Sequence, residues 1–135
     1  MRRRSAEGGA SAVEFAILLP LVLLIIGGIV DFGRFFFAKI ELTNAAREGA
    51  RAAVVTTGTP TPGPTERVLT ALPGVATPSI WISPVCATAG STATVTVSVS
   101  SSFEWMVLEP AMNLVGGGAS LPPTVGGKAA MRCGG

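Results

Sequence analysis

A long apolar stretch dominates the N-terminal part of the chain. Residues 15–30 contain no charged side chain, and the stretch extends over residues 10–30 if Glu14 is included as its one carboxylate. An α-helix rises about 1.5 Å per residue, so roughly twenty apolar residues cross a hydrocarbon core of about 30 Å. The pattern therefore predicts a transmembrane helix. Because a charge in such a segment is costly, Glu14 is expected to have a partner or a function.

The helical pattern continues beyond the apolar stretch. No proline interrupts residues 31–55, and small side chains recur there at spacings of three, four and seven residues. A stripe of small residues lets a neighbouring backbone approach closely. We therefore predict one helix over residues 10–57 that extends beyond the membrane, with a kink or local unwinding at Pro20, which cannot donate a backbone hydrogen bond. The stripe consists of Ala38, Ala45, Ala46, Gly49 and Ala53.

Charged and aromatic residues follow directly after the apolar stretch. Asp31 and Arg34 are three residues apart, and we interpret them as a pair that solvates a helix face rather than as a binding site. Residues 35–37 are three phenylalanines between Arg34 and Lys39. Aromatic rings and long cationic side chains are favoured at the level of the lipid headgroups, which predicts that this segment lies near the outer headgroups.

The pattern after the helix changes twice. Residues 58–79 are rich in Thr, Pro and Gly, which is typical of a stiff connector, and a short helix is predicted over residues 65–72. Residues 92–103 alternate apolar and polar side chains, which predicts a β-strand with one buried face. Shorter strands are predicted over residues 80–85 and 128–133.

These elements define the expected fold class. Residues 104–115 are predicted as a turn followed by a loop or a short helix that Pro110 interrupts. The one-sided strand over residues 92–103 requires a covering element, so the sheet is expected to lie against the helix or another element. We predict an α+β protein with a long, partly transmembrane N-terminal helix and a small C-terminal antiparallel β-sheet head over residues 80–135.

Composition narrows the range of functions. Histidine is absent and there are two cysteines, which excludes Ser-His-Asp and Cys-His catalysis and a zinc site of the common types built by this chain alone. The acidic residues after the helix, Glu66, Glu104 and Glu109, form no recognisable pattern. We therefore predict a protein that is not an enzyme, with no catalytic or metal-binding residues, no cofactor and no small-molecule substrate.

The charge distribution indicates topology rather than nucleic-acid binding. The formal net charge is +2, and three of the ten basic residues are Arg2, Arg3 and Arg4. Removal of residues 1–9 takes away these three and one of the eight acidic residues, which leaves seven of each sign and a neutral chain. The arginines precede the apolar stretch and no basic cluster follows it, so the positive-inside rule predicts an inner N-terminus and an outer head.

Cys86 and Cys133 lie in the head that this topology places outside the cytoplasm. Disulfides persist in such compartments, and a bridge that closes a loop of about 47 residues contributes roughly 4 kcal/mol in the chain-entropy model. We favour a Cys86–Cys133 disulfide, which would attach the C-terminus to the strand region of a head with few apolar residues. The alternative is a pair of free, buried thiols.

The N-terminal sequence resembles a prepilin signal. A short basic leader ends in Gly8 and Gly9, and Glu14 is the fifth residue when counting starts at Ala10. The match is closer to the TadE-like family, the minor pilins or pseudopilins of tight-adherence (Flp-type) pili. It rests on G-A-S-A-V-E-F-A-I-L-L-P-L at residues 9–21, V-D-F-G-R at 30–34 and L-T-N-A-A-R-E-G-A-R-A-A at 42–53, with a weaker similarity in K-A-A-M-R-C at 128–133.

This resemblance implies a function, a processing site and partners. A prepilin peptidase would remove a leader at residues 1–9 by cleaving between Gly9 and Ala10, and Glu14 would act in assembly. The domains would be the leader, the helix at 10–57, the connector at 58–79 and the pilin-like head at 80–135. The expected partners are the peptidase, other pilus subunits, assembly-platform proteins and membrane lipid, but no nucleic acid. The protein would be a single-pass protein of the cytoplasmic membrane with its N-terminus inside and its head outside, and the resemblance leaves open whether it is incorporated into the pilus.

Two other hypotheses stay open from the sequence. A permanently anchored bitopic envelope protein would keep the same topology and use its outer head to bind a partner. A secreted β-domain released by ordinary signal peptidase would require a cleavage site after the apolar stretch. The last hypothesis fits poorly, because residues 30–39 read V-D-F-G-R-F-F-F-A-K and contain no A-x-A-like site.

Overall fold

The computed structural model describes residues 7–55, 63–83, 86, 92–116 and 120–133. These described residues form three helices and three strands in the order α1, α2, β1, β2, α3 and β3. The helices are α1 (Glu7–Val55), α2 (Pro64–Thr70) and α3 (Leu108–Leu114). The strands are β1 (Ser79–Ile82), β2 (Thr94–Ser102) and β3 (Thr124–Arg132). A long N-terminal apolar helix followed by a small antiparallel sheet confirms the predicted α+β class.

The chain divides into two compact units. The first unit consists of Met1–Gly33 and Trp105–Leu121, and so combines the N-terminal part of α1 with α3. The second unit consists of Arg34–Glu104 and Pro122–Gly135, and combines the C-terminal part of α1 with α2 and the sheet. Helix α1 therefore contributes residues to both units.

The sheet of the second unit is antiparallel, with β2 between β1 and β3. Val97 of β2 lies opposite Ile82 of β1 and Ala129 of β3. Val99 lies opposite Ile80 and Gly127 in the same way. This register places the apolar side chains of neighbouring strands on the same face, because side chains alternate between the two faces along each strand.

The buried face of the sheet forms the core of the second unit. Val95, Val97 and Val99 of β2 are fully buried, whereas the alternate residues of β2 are half-buried or exposed. The core also contains small side chains of α1 and two residues at or just after α2. Its members from the helices are Leu42, Ala45, Ala46, Ala50, Ala53, Val68 and Leu72.

The small-residue stripe packs against the protein's own head. The sequence predicted close approach by a neighbouring backbone, and in the structure that neighbour belongs to the same chain. A Cβ on Gly127 would lie 2.5 Å from the Thr43 Cα, so β3 approaches α1 at backbone distance. A Cβ on Gly49 would overlap the Val68 side chain and lie 3.4 Å from Val97 Cγ1. Small residues are therefore used here to bring a sheet and α2 onto a helix.

Several boundaries differ from the sequence-based expectations. Strand β3 begins at Thr124, four residues before the predicted start, because two glycines weakened the strand pattern there. Helix α2 (Pro64–Thr70) lies within the predicted connector. It begins one residue earlier and ends two residues earlier than the short helix predicted over residues 65–72. Helix α1 continues through Pro20, so the chain is not unwound at that residue. The predicted helix end at residue 57 lies outside the described residues.

The segment before β3 also differs from expectation. Residues 108–114 form helix α3, and Pro110 is its third residue rather than an interruption. The first four N–H groups of an α-helix have no intrahelical partner, so a proline in the first turn removes no hydrogen bond. Proline at this position is therefore compatible with the helix that contains it.

Candidate functional site

Gly9 and Ala10 lie near the start of α1 and are exposed. No atom lies within 4 Å of a Cβ built on Gly9 among the described residues. Helix α1 begins at Glu7, so Gly9 and Ala10 belong to its first turn. The amides of this turn lack intrahelical acceptors and only its carbonyl groups are bonded within the helix, so it frays more readily than the helix interior.

Glu14 lies one helical turn after Ala10 on the same helix. Its side chain is exposed, and it forms no hydrogen bond or ion pair with another described residue. The surrounding surface is apolar, so a carboxylate here stands among side chains that favour lipid or another apolar helix. The structure therefore leaves Glu14 accessible to an external partner.

The apolar surface around Glu14 is long and exposed. Helix α1 is long and apolar enough to cross a membrane, and every side chain described from residue 9 to residue 26 is exposed. A soluble protein rarely exposes a contiguous apolar surface of this extent. The exposed large apolar side chains between residues 9 and 30 are Val13, Phe15, Ile17, Leu18, Leu19, Leu21, Val22, Leu23, Leu24, Ile25, Ile26, Ile29 and Val30. Their arrangement fits a single-pass membrane anchor.

Asp31 has a role that the sequence analysis missed. We interpreted it with Arg34 as part of a solvated pair, and for Asp31 this is wrong, because its side chain is 0% exposed. Its carboxylate accepts hydrogen bonds from three consecutive backbone amides: Met106 at 3.2 Å, Val107 at 2.8 Å and Leu108 at 3.0 Å. These amides precede or open α3, which no side chain of its own caps. The carboxylate therefore supplies the acceptor for amides that a helix start leaves unpaired.

The packing around Asp31 keeps this carboxylate away from solvent. Trp105 is buried and meets the Phe32 ring edge-on, with the ring centroids 5.6 Å apart. A Cβ on Gly27 would lie only 2.5 Å from the nearest Val107 methyl carbon, so Gly27 makes room for Val107. The position of Asp31 at the end of an uncharged stretch was a signal for this role, since a carboxylate at that depth needs donors.

A second aromatic contact lies in the second unit. Phe35 meets Phe103 edge-on with the ring centroids 5.4 Å apart, and the Arg34 guanidinium lies 5.4 Å from the centroid of the same Phe103 ring. Arg34 also donates to the Glu104 carbonyl oxygen at 3.4 Å. Phe36 and Phe37 are exposed, whereas Phe35 is partly buried against the core. Arg34 and Phe35 of α1 therefore contact Phe103 and Glu104, the two residues that follow β2.

Cys86 and Cys133 form a disulfide in the second unit, with their Cα atoms 5.8 Å apart. Both side chains are buried in the core, and the Cys133 amide donates to the Ala93 carbonyl oxygen at 2.8 Å. The bond joins the residue after β3 to the region between β1 and β2. Neither free thiols nor a group of three metal-ligating side chains occurs among the described residues.

Comparison with known proteins identifies the N-terminal part of the chain. Residues 9–51 match the family model described as TadE-like protein, which confirms the resemblance predicted from the motifs over that range. The match includes Gly9, Ala10, Glu14 and Asp31 and indicates a protein associated with tight-adherence pili. No curated protein and no solved structure matches the chain. The sheet of the second unit therefore has no counterpart in these comparisons.

Proposed function

Since residues 9–51 match the TadE-like family, we propose that this protein is a pseudopilin or minor pilin that takes part in the assembly of a tight-adherence pilus. The observation that supports this function best is the exposed N-terminal part of α1, which carries the matched motif and a single carboxylate on an otherwise apolar surface. Such a surface suits a helix that leaves the lipid by packing against other helices.

Processing by a prepilin peptidase is the first part of the proposal. The leader would be residues 1–9, and cleavage would follow Gly9. Glycine has no side chain to obstruct an extended backbone in a peptidase active site, and the first turn of α1 is the part that unwinds most readily. We expect Gly9→Phe to leave the precursor at full mass in cells that contain the peptidase, while the unaltered protein is trimmed to Ala10. Trimming of Gly9→Phe at the normal position would contradict this assignment.

Assembly through Glu14 is the second part. Cleavage after Gly9 would create an amine on Ala10, and Glu14 lies one helical turn from it, within reach of this amine or that of a neighbouring helix. An unpaired charge among packed helices is strongly unfavourable, so pairing would set the register between subunits as well as neutralise the charge. The partners would be other pilus subunits and the assembly platform.

The test of this second part compares two isosteric substitutions. Glu14→Gln removes the charge within the apolar stretch, and Glu48→Gln removes an exposed charge elsewhere on the same helix. We expect both variants to be trimmed normally, and we expect only Glu14→Gln to lose co-isolation with other pilus subunits. If Glu14→Gln co-isolates as well as Glu48→Gln does, Glu14 is an interfacial charge and has no role in assembly.

A permanently anchored envelope protein is the second candidate function. It is favoured by the burial of the small-residue stripe, because the sheet and α2 already cover the face of α1 that would otherwise meet a neighbouring helix. Mass spectrometry of the N-terminus separates the candidates. An N-terminus at Ala10 supports the pseudopilin, an intact leader supports the permanent anchor, and an N-terminus after Val30 would indicate a secreted β-domain.

A further inference from the structure

The segment that begins at Trp105 is attached to the apolar part of α1. Val107 packs against Gly27, and the side chain of Leu108 lies 3.5 Å from the position of a Cβ on Gly28. Gly27 is three residues before Val30, the last residue of the uncharged stretch. At a rise of about 1.5 Å per residue, this contact lies about 5 Å inside the end of that stretch. If α1 spans a membrane, Val107 lies at the depth of the lipid acyl chains.

Backbone at this depth needs hydrogen-bond partners, because lipid supplies none. Helix α3 satisfies its later amides internally, but the amides at its start have no intrahelical acceptor. The Asp31 carboxylate accepts from Met106, Val107 and Leu108, and its own charge is satisfied by the same three bonds. The junction between α1 and α3 is therefore compatible with a medium that contains no water.

The outer surface of this segment is apolar on one side and polar on another. Met106, Leu114 and Val115 are 66%, 89% and 86% exposed. Glu109 and Asn113 are also exposed, and their spacing of four residues puts them on one face of α3. Leu114 lies on a different face by helical periodicity. A short element with separate apolar and polar faces suits the boundary between acyl chains and headgroups.

We propose that residues 105–116, here called the interfacial segment, insert into the lipid leaflet at the C-terminal end of the α1 span. Met106, Leu114 and Val115 contact acyl chains, and Glu109 and Asn113 face the headgroups. Asp31 holds the segment at this depth. Lipid is the occupant because the segment packs on the apolar part of α1 at Gly27 and Gly28, and Val30 and Phe32 of the same part of the helix are exposed as well.

The inference requires that α1 span a membrane, but it does not depend on pilus assembly or on which side of the membrane the N-terminus lies. It adds a second attachment to the bilayer. A single helix can rotate and tilt in the membrane, whereas a helix with a side element in one leaflet has a preferred depth and rotation.

The experiment measures lipid contact at single positions of the full chain. The protein is reconstituted at one copy per phosphatidylcholine nanodisc with its disulfide intact, and an environment-sensitive fluorophore is attached to Leu114→Cys. The same fluorophore is attached to Leu19→Cys in the middle of the apolar stretch and to Glu66→Cys, an exposed charged position in α2. Leu114 is exposed, so this substitution disturbs no packing.

Lipids brominated in the upper part of the acyl chain should quench most of the fluorescence at position 114 and leave position 66 unquenched. Lipids brominated near the chain ends should quench position 19 most strongly. Quenching at 19 but not at 114 would overturn the proposal while leaving the membrane span intact. A fluorophore at 114 that is shielded only when two copies share a disc would also overturn it, because the covering surface would then be protein.

Asp31→Asn tests the attachment itself. The substitution keeps the side-chain volume but replaces one acceptor oxygen with a donor group, so it cannot accept all three amide hydrogen bonds. We expect quenching at position 114 to fall in this background while quenching at position 19 is unchanged. Unchanged quenching at 114 would show that Asp31 does not hold the interfacial segment in the leaflet.

Discussion

Among the described glycines of the second unit, Gly127 is the one at which an added Cβ would meet backbone atoms most closely. A Cβ there would lie 2.5 Å from the Thr43 Cα and 2.6 Å from the Leu42 carbonyl carbon. Both are backbone atoms of α1, which cannot rotate away as a side chain can. We therefore expect Gly127→Ala to push β3 away from α1 and to loosen the core between them.

The expected loss of stability in Gly127→Ala is the difference between two opposing contributions. Adding a methyl group to a well-packed site costs about 1–3 kcal/mol, and the upper part of that range applies when backbone has to move. Replacement of glycine by alanine recovers about 0.4–1 kcal/mol by restricting the unfolded chain. The net loss is about 2 kcal/mol, which corresponds to a decrease in the melting temperature of roughly 10 °C for a domain of this size.

Gly126→Ala is the matched control on the other face of the same strand. Its Cβ would lie 3.1 Å from the Val99 carbonyl oxygen and 3.4 Å from the Ser100 Cβ, which requires shifts of only a few tenths of an ångström. Backbone conformation does not separate the two sites, because Gly116 is the only described glycine with a positive φ. We expect Gly126→Ala to change stability by less than about 0.5 kcal/mol.

The assay is thermal unfolding of the purified full chain in detergent, followed by near-UV circular dichroism with the disulfide intact. The melting temperature of Gly127→Ala should be well below that of the unaltered protein. The melting temperature of Gly126→Ala should equal that of the unaltered protein. Equal melting temperatures for the two variants would refute the close approach of β3 to α1.

Three further predictions concern the second unit. Thiol labelling of denatured, non-reduced protein recovered from the envelope should detect no free cysteine, and labelling of both would contradict both the disulfide and an outer location of this unit. Cys133→Ser should destabilise the unit by roughly 4 kcal/mol, the chain-entropy contribution of the closed loop, measured by the same melting experiment under oxidising conditions. Val97→Ala should lower stability by about 2 kcal/mol because it leaves a cavity in a fully buried site. Ser98→Ala, a half-buried neighbour, should have little effect.

The sequence was most informative where a periodic pattern was strong. The apolar stretch predicted α1, and the alternation in residues 92–103 predicted β2 and its buried face, because both signals arise from burial or lipid contact that repeats along one element. Strand β3 was predicted only in part. Its N-terminal half contains Gly126 and Gly127, which lack the side chains on which a strand pattern depends.

The role of Asp31 could not be derived from local sequence. A carboxylate three residues before an arginine on a helix is usually solvated. That general expectation led to the wrong interpretation of Asp31. The backbone amides that donate to the Asp31 carboxylate, those of residues 106–108, lie 75 or more positions away in the chain. A backbone amide has no sequence signature, so no motif indicates that a distant segment will supply the donors for this carboxylate. The missed signal was positional, since Asp31 ends an uncharged stretch in which an unsatisfied carboxylate is costly.

The burial pattern of α1 limits how this protein can join an assembly. Between Leu42 and Ala53 the small face of the helix is covered by the sheet and α2, so a neighbouring subunit cannot use that face without opening the core. From residue 9 to residue 26 every described side chain is exposed, and the one carboxylate in this range is Glu14. An apolar surface alone binds lipid or other helices with little preference of register, whereas one charge on it favours the single register that brings an opposite charge. The proposed assembly through α1 would therefore use its exposed N-terminal half, where Glu14 is the one carboxylate between residues 9 and 26.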